Sequence, residues 1–201
     1  MITLSDYLLS YIREMKDRIK PDLSRRELVT GSLEFLYHAC MASEQLLFDA
    51  AIAASVHDDP FSKHLESYYR THLEEEKGEL EILVGDLANA GIDASVSAPG
   101  VAVMAMIGTQ YYLAKHVHPA SLLGYMAIQE ADPTPIQMVE HLEEAYGKDL
   151  FRFLRLHAIK DLEHRKELIS VIDRVPENLK PLVVESATNA LSYITIFYGR
   201  R

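Results

Sequence analysis

Residues 156–166 read LHAIKDLEHRK and contain the pattern H-x3-D-x2-H, formed by His157, Asp161 and His164. The stretch is rich in helix-forming residues and has neither Gly nor Pro, so it predicts an α-helix. At positions i, i+4 and i+7 the three side chains lie on one stripe, two turns long. Two imidazoles and a carboxylate on one face suit iron or a similar divalent metal. The stretch therefore predicts a metal-binding helix, and the alternative is a polar helix face with a local ion pair.

The remainder of the chain also has helical periodicity, and the alternation typical of strands is nearly absent. Turn signals such as Asp59-Pro60 and Gly147 divide the chain into about eight helices, with one continuous helix predicted over residues 61–89. Hydrophobic residues make up 48% of the sequence, which is enough for a substantial core. We therefore predict a single all-α domain spanning residues 1–201, built as a bundle of about eight helices.

The charge and the cysteine content exclude several classes of protein. A formal net charge of -10 argues against binding to nucleic acid or to anionic lipid. The N-terminal segment is amphipathic and charged and no apolar run reaches the length of a membrane span, so we expect neither a signal peptide nor a membrane-spanning helix. Its one cysteine, Cys40, rules out a disulfide within the chain and is expected to be a small buried apolar side chain. We therefore predict a cytoplasmic protein.

A second stripe of metal-ligand residues precedes the first one in the sequence. His72, Glu75, Glu76 and Glu79 have helical spacing, so His72, Glu79 and one of the middle pair can converge on one face. The alternative is an acidic, solvated helix. The presence of Gly78 favours the first interpretation, because an interior Gly costs about 1 kcal/mol relative to Ala in a helix, and a nearby site or a packed neighbour would explain it.

Two isolated residues are further candidates. Glu130 ends the apolar segment LLGYMAIQ, where a buried carboxylate must be paired, hydrated or bound to a metal; a solvated helix end is the alternative. His38 lies on the long second helix, either as a hydrogen-bonded core residue or facing the same cavity as the metal ligands.

Three segments resemble the heme-oxygenase-like iron-containing redox enzymes, a group also described as heme-oxygenase-like diiron oxidases and oxygenases. They are RTHLEEEKGELEILVGDLANAG at 70–91, YYLAKHVHPASLLGYMAIQE at 111–130 and LRLHAIKDLEHRKEL at 154–168. Their order and approximate separations agree with the family, and the resemblance spans about residues 25–175.

The resemblance implies an up-and-down helical bundle with an internal site where Fe(II), as one or two ions, activates O2 to oxidise a small organic substrate. Glu130, His157, Asp161 and His164 match the family's ligands. His72 and Glu79 occupy positions where the family places a carboxylate and a histidine. Because related sequences commonly have His at the Glu79 position, the ligand role can shift to His72 with Glu75 or Glu79, and both one and two metals stay open.

The apolar helices that carry Tyr112 and Tyr125 would make a dry pocket around the metal; the alternative is that these side chains only pack in the core. Other readings stay open at this point. The bundle is also compatible with a metal-free thiaminase-II-like hydrolase, which would need Cys40 as its nucleophile, or with a cofactorless quinone-forming oxidase. A non-catalytic heme-binding module would use His38 as the axial ligand. A homodimer is also left open.

Overall fold

The structure, a computed structural model, describes residues 2–19 and 21–199, and every regular element within them is helical. This confirms the all-α prediction. None of these helices is long and apolar enough to cross a membrane. The described residues form nine α-helices, α1 (Leu4–Arg18), α2 (Arg26–Ser55), α3 (Pro60–Glu75), α4 (Glu79–Asn89), α5 (Val101–His116), α6 (Leu122–Glu130), α7 (Ile136–Tyr146), α8 (Arg152–Ile172) and α9 (Lys180–Gly199). Two short 3-10 helices precede α6 and α8, at Pro119–Ser121 and Lys148–Leu150.

The number of helices exceeds the prediction by one because residues 61–89 form two helices. The first of them, α3, ends at Glu75, and α4 begins at Glu79. Between them Gly78 has a φ of 84°, in the left-handed region that Gly enters without a Cβ clash. The expectation that Gly78 lies inside a helix is therefore wrong: it turns the chain between two acidic helix ends.

Two apolar clusters form the core, and α2 contributes to both. The larger cluster joins α2 to helices that include α1, α3, α5, α6 and α9, and the smaller joins it to α4 and α7. Along α8, Phe153 and Ala158 pack in the smaller cluster, whereas Leu168 and Val171 pack in the larger one. The H-x3-D-x2-H stripe thus lies where the two clusters meet.

Asp86 on α4 fixes the start of α8. Its carboxylate is fully buried; Oδ1 accepts a hydrogen bond from Nε of Arg152 at 2.7 Å, and Oδ2 accepts from the backbone N–H of Phe153 at 2.8 Å. The first N–H groups of a helix have no partner within it, so a carboxylate from a neighbouring helix can cap them. This contact sets the position of α8 relative to α4.

Helices α6 and α9 approach each other closely at Gly124. A Cβ atom at this position would lie 2.0 Å from the carbonyl oxygen of Val183 and 2.8 Å from the backbone nitrogen of Ala187. Only Gly allows this backbone-to-backbone contact. The contact places α6, whose last residue is Glu130, against the rest of the bundle.

Candidate metal centre

Imidazole and carboxylate groups from three parts of the chain converge in the interior of the bundle. They come from the α3–α4 junction, from the end of α6 and from the middle of α8. The residues are His72, Glu75, Glu76, Glu79, Glu130, His157, Asp161 and His164. All seven residues predicted as ligands lie in this cluster, and Glu76, which the sequence offered as an alternative to Glu75, lies there with them.

One group of three side chains could hold a metal ion between α3 and α8. His72, Glu75 and His164 each offer a ligand atom, and these atoms lie within 4.8 Å of one another. Glu75 Oε2 lies 3.6 Å from Nε2 of His164 and 4.0 Å from Nδ1 of His72. Both imidazoles are buried, whereas Glu75 is partly exposed, so the group opens toward solvent on the Glu75 side.

Glu130 lies against the other edges of the same two imidazoles. Its Oε1 is 3.1 Å from Nε2 of His72, and its Oε2 is 3.9 Å from Nδ1 of His164. The helix end is buried rather than solvated, so the carboxylate faces inward. An ion next to Glu130 would therefore use the nitrogens of His72 and His164 that face away from Glu75.

A second group of three lies beside the first. Glu76, Glu79 and His157 offer ligand atoms within 4.8 Å of one another. His157 Nε2 lies 3.2 Å from Oε2 of Glu79 and 3.8 Å from Oε2 of Glu76. Its Nδ1 is 3.2 Å from the carbonyl oxygen of Phe153, a contact that favours a proton on Nδ1 and leaves Nε2 for an ion.

Asp161 and His164 connect the cluster to the next turn of α8, with Asp161 Oδ1 3.9 Å from Nδ1 of His164. Among the described residues, four buried polar atoms of this cluster have no hydrogen-bond partner: Oε2 of Glu79, Oε2 of Glu130, Oδ1 of Asp161 and Nδ1 of His164. Buried polar groups are rarely left unpaired, and several of them around one space need an explanation. Three carboxylate oxygens and an imidazole nitrogen are a donor set that fits a divalent cation.

The protonation of these groups reflects their crowding. Burial alone would lower the pKa of His72, but the hydrogen bond and the charge of Glu130 raise it. Burial lowers the pKa of His164. Burial also raises the pKa of Asp161 to about 7, with a further contribution from the charge of Glu130 and an opposing one from His157. A cation bound among these groups would compete with the protons that the raised pKa values of His72 and Asp161 favour.

Lys160 is a member of the centre that sequence reasoning missed. Its Nζ donates to the backbone carbonyl of Glu75 at 2.6 Å, to Oε1 of Glu76 at 3.2 Å and, over a short distance, to Oε1 of Glu79. The available signal was its spacing, because Lys160 lies three residues after His157 and so on the same face of α8. Burial alone would raise the pKa of Glu76, yet the interactions with His157, His72 and Lys160 lower it to about 2.

A small cavity adjoins the centre on its α2 and α6 side. It has a volume of about 30 Å³ and is lined by His72, Glu76 and Glu130 together with apolar side chains such as Leu46 and Met126. Tyr125 lies in its wall with the side chain buried, and its hydroxyl interacts with the polar side chains of Ser43 and Gln129. This volume suits one or two molecules the size of water.

Tyr112 does not line this space. The side chain is 61% exposed, and its ring packs against His116 one turn further along α5. The prediction that Tyr112 lies in the pocket is therefore wrong. Its α5 is apolar on most faces, so periodicity alone did not indicate which residues point outward.

His38 is a buried, hydrogen-bonded side chain, which is one of the two alternatives that the sequence offered, and it does not face the metal ligands. Its Nε2 is 3.1 Å from Oγ of Ser97, which in turn donates to Glu34 at 3.2 Å. These three residues line a separate cavity of about 380 Å³ between α2, α5 and α9. The reason is helical geometry: His38 precedes Ser43, which lines the small cavity, by five residues, and therefore points about 140° away around α2.

Cys40 packs, partly buried, against the smaller apolar cluster on the side of α2 that faces the carboxylates. Burial raises the pKa of its thiol, and the charges of Glu76, Glu79 and Asp161 raise it further. A nucleophilic cysteine needs the opposite environment, one that favours the thiolate.

A third His and Asp group lies at the α2–α3 loop. His57, Asp59 and His118 offer ligand atoms within 4.8 Å of one another. Asp59 accepts from the backbone N–H of Ser62 at 2.9 Å, which confirms it as the N-cap of α3, and His118 Nδ1 accepts from the N–H of Ala120 at 3.1 Å. None of the three is fully buried, and the capping contacts account for two of them.

Comparison with solved structures shows a heme oxygenase-like fold. The chain is similar to a domain of unknown function with a heme oxygenase-like fold from Shewanella denitrificans OS217, at 19% identity and a TM-score of 0.67. That match covers 98% of this chain and 86% of the other. A TenA homologue protein from P. horikoshii OT3 matches at 15% identity and a TM-score of 0.56, over 98% of this chain and 99% of the other. No family model and no curated protein sequence matches the chain.

Proposed function

We propose that this protein is a non-heme iron-dependent oxidase or oxygenase that uses O2 to oxidise a small organic molecule. One observation carries the proposal: imidazoles and carboxylates from α3, α4, α6 and α8 face one another around four buried polar atoms that have no partner among the described residues. The heme oxygenase-like fold supports it, since the family that the sequence resembles has this fold.

Fe(II) can be held by His72, His164 and Glu75, or by Glu130 with the opposite nitrogens of the same two imidazoles. His157, Asp161 and Glu79 extend the ligand set, so one ion or two can be accommodated. Fe(II) held by imidazoles and carboxylates with an open position supplies the reduction of dioxygen.

The chain's own contribution is to shape the space next to the ligands. Leu46, Leu47, Leu122 and Met126 form the apolar part of the wall of the small cavity. Burial raises the pKa of Tyr125, so its hydroxyl stays protonated and can donate a hydrogen bond to a small molecule held there. The cavity is too small for an organic substrate, so a side chain of its wall must move to admit one.

Anaerobic reconstitution with Fe(II), followed by metal analysis, tests the proposal. We expect one to two equivalents of iron in the wild-type protein and at least about tenfold weaker binding after His157→Ala or His164→Ala. The matched control is His141→Ala, since His141 is exposed on α7 and should leave binding unchanged. Weak binding that neither of the first two variants alters would show that this cluster is not an iron site.

The alternative of a metal-free, thiaminase-II-like enzyme has one observation in its favour, the similarity of fold to the TenA homologue. Against it, the surroundings of Cys40 disfavour the thiolate. O2 consumption separates the two proposals. We expect the iron-loaded protein to consume O2 with candidate substrates, and we expect Cys40→Ala to leave this activity unchanged. A Soret band on titration with heme would instead favour the heme-binding alternative.

A further inference from the structure

Lys160 has all three of its ammonium protons directed at the α3–α4 junction. Its partners are the backbone carbonyl of Glu75 and one oxygen each of Glu76 and Glu79. The carbonyl of Glu75 belongs to the last turn of α3, where carbonyl groups have no partner within the helix. Lys160 thus caps α3 from α8 and fixes the distance between the two helices.

The two carboxylates are oriented by this contact. Lys160 binds Oε1 of both Glu76 and Glu79, whereas Oε2 of both points at Nε2 of His157, at 3.8 and 3.2 Å. Oε2 of Glu79 is buried and accepts no hydrogen bond from any described residue. One oxygen of each carboxylate is therefore held by Lys160, and the other is left facing Nε2 of His157.

We infer that Lys160 is a positioning residue for a second divalent ion, held by Glu76, Glu79 and His157, and this inference rests on the proposed function. Metal-binding carboxylates are commonly oriented by a hydrogen bond to the oxygen that does not face the ion, and loss of such a partner typically costs about 10–100-fold in affinity. Lys160 supplies this bond to two carboxylates at once. The positive charge of Lys160 also offsets the negative charge of the Glu79 carboxylate.

Titration with Co(II), an oxygen-stable probe, followed by calorimetry and metal analysis, tests the inference. We expect two binding steps in the wild-type protein. In Lys160→Met the second step should weaken at least about tenfold while the first stays unchanged. The unchanged first step separates a positioning role from a general loss of structure. Lys166→Met is the matched control, because Lys166 is exposed on the same helix and pairs only with Glu163 among the described residues.

Three results would overturn the inference while leaving an iron site in place. The first is a single binding step in both proteins, and the second is two binding steps whose affinities do not differ between the wild-type protein and Lys160→Met. The third is a second step that is tighter in Lys160→Met, which would make Lys160 a competitor of the ion. Absence of Co(II) and Fe(II) binding from both proteins would instead overturn the proposed function, and the inference with it. If the Met variant does not fold, Lys160→Gln, which keeps most of the stem but not the charge, is expected to show the same selective loss.

Discussion

Glu79 lies at a position where sequences of the family that this chain resembles commonly have His. A buried carboxylate at this position needs a positively charged neighbour. A buried carboxylate without a cation costs several kcal/mol. Here Oε1 of Glu79 accepts from Lys160, and Oε2 lies 3.2 Å from Nε2 of His157. The negative charge of Glu79 is thus matched by a cationic side chain on the facing helix.

Glu130→Gln should lower the pKa of His72, because the carboxylate is what raises that pKa against the effect of burial. The raised pKa stabilises the metal-free protein below the unfolded-state pKa of His, and this contribution is lost as the pH rises through the folded-state value. We therefore expect Glu130→Gln to destabilise the metal-free protein more at about pH 6 than at about pH 9. NMR titration of the imidazoles and denaturant unfolding at both pH values measure the two effects. An unchanged pKa of His72 would show that Glu130 does not pair with it.

At the scale of single helices, the contact between α6 and α9 depends on one missing Cβ. Gly124→Ala would place a methyl group 2.0 Å from the carbonyl oxygen of Val183. Forcing the two backbones apart should cost about 1–3 kcal/mol and lower the Tm by about 2–10 °C. Thermal unfolding followed by circular dichroism measures the change.

Gly108→Ala is the control for this substitution. Gly108 lies inside α5, and a Cβ there would meet nothing within 4 Å. The same change should therefore stabilise the protein slightly, by about 0.5–1 kcal/mol, through helix propensity alone. Equal effects at both positions would mean that the α6–α9 contact is not close.

The sequence was most informative where the determinants are local. The stripe of His157, Asp161 and His164 was visible because helical periodicity alone puts the three on one face. The break at Gly78 was not, because the flanking residues form helices well and a Gly fits both a helix interior and a left-handed turn. Both Glu75 and Glu76 reach the cluster because α3 ends at Glu75 and the chain turns before α4 begins. In a continuous helix, two adjacent residues would point in different directions.

The remaining differences depend on contacts between distant parts of the chain. Asp86 lies within a helical sequence pattern, but it caps a helix that begins 66 residues later. Lys160 had the right spacing, yet its role depends on where α3 ends. The outward direction of the Tyr112 side chain depends on how α5 packs, because that helix is apolar on most faces and its sequence does not mark the exposed one. Such facts require the tertiary arrangement.

For the whole molecule, the centre places a concentration of negative charge within an apolar core. The carboxylates are Glu75, Glu76, Glu79, Glu130 and Asp161, and the nearest Lys is Lys160. Burial of like charges destabilises a folded protein, and the two apolar clusters on either side offset that cost. The metal-free protein should therefore gain stability when a divalent ion binds.

This charge makes the stability of the metal-free protein depend on pH through Asp161. Its pKa is raised from the ordinary 3.8 to about 7, so the folded state binds a proton that the unfolded state has released. The stability of the wild-type protein should accordingly fall relative to that of Asp161→Asn as the pH rises from about 4 to about 7. Urea unfolding of both proteins in the presence of a chelator measures the difference. A constant difference across this range would show that Asp161 titrates normally.

Under the proposed oxidase function, the position of Cys40 has a consequence for the lifetime of the protein. Reactive oxygen species convert a thiolate to sulfenic and then to sulfinic acid, whereas a protonated thiol reacts far more slowly. Burial and three acidic neighbours keep the sulfur of Cys40 protonated. The one sulfhydryl group of the chain is thus kept in its least oxidisable form next to the place where oxidants would arise, which limits self-inactivation over repeated turnovers.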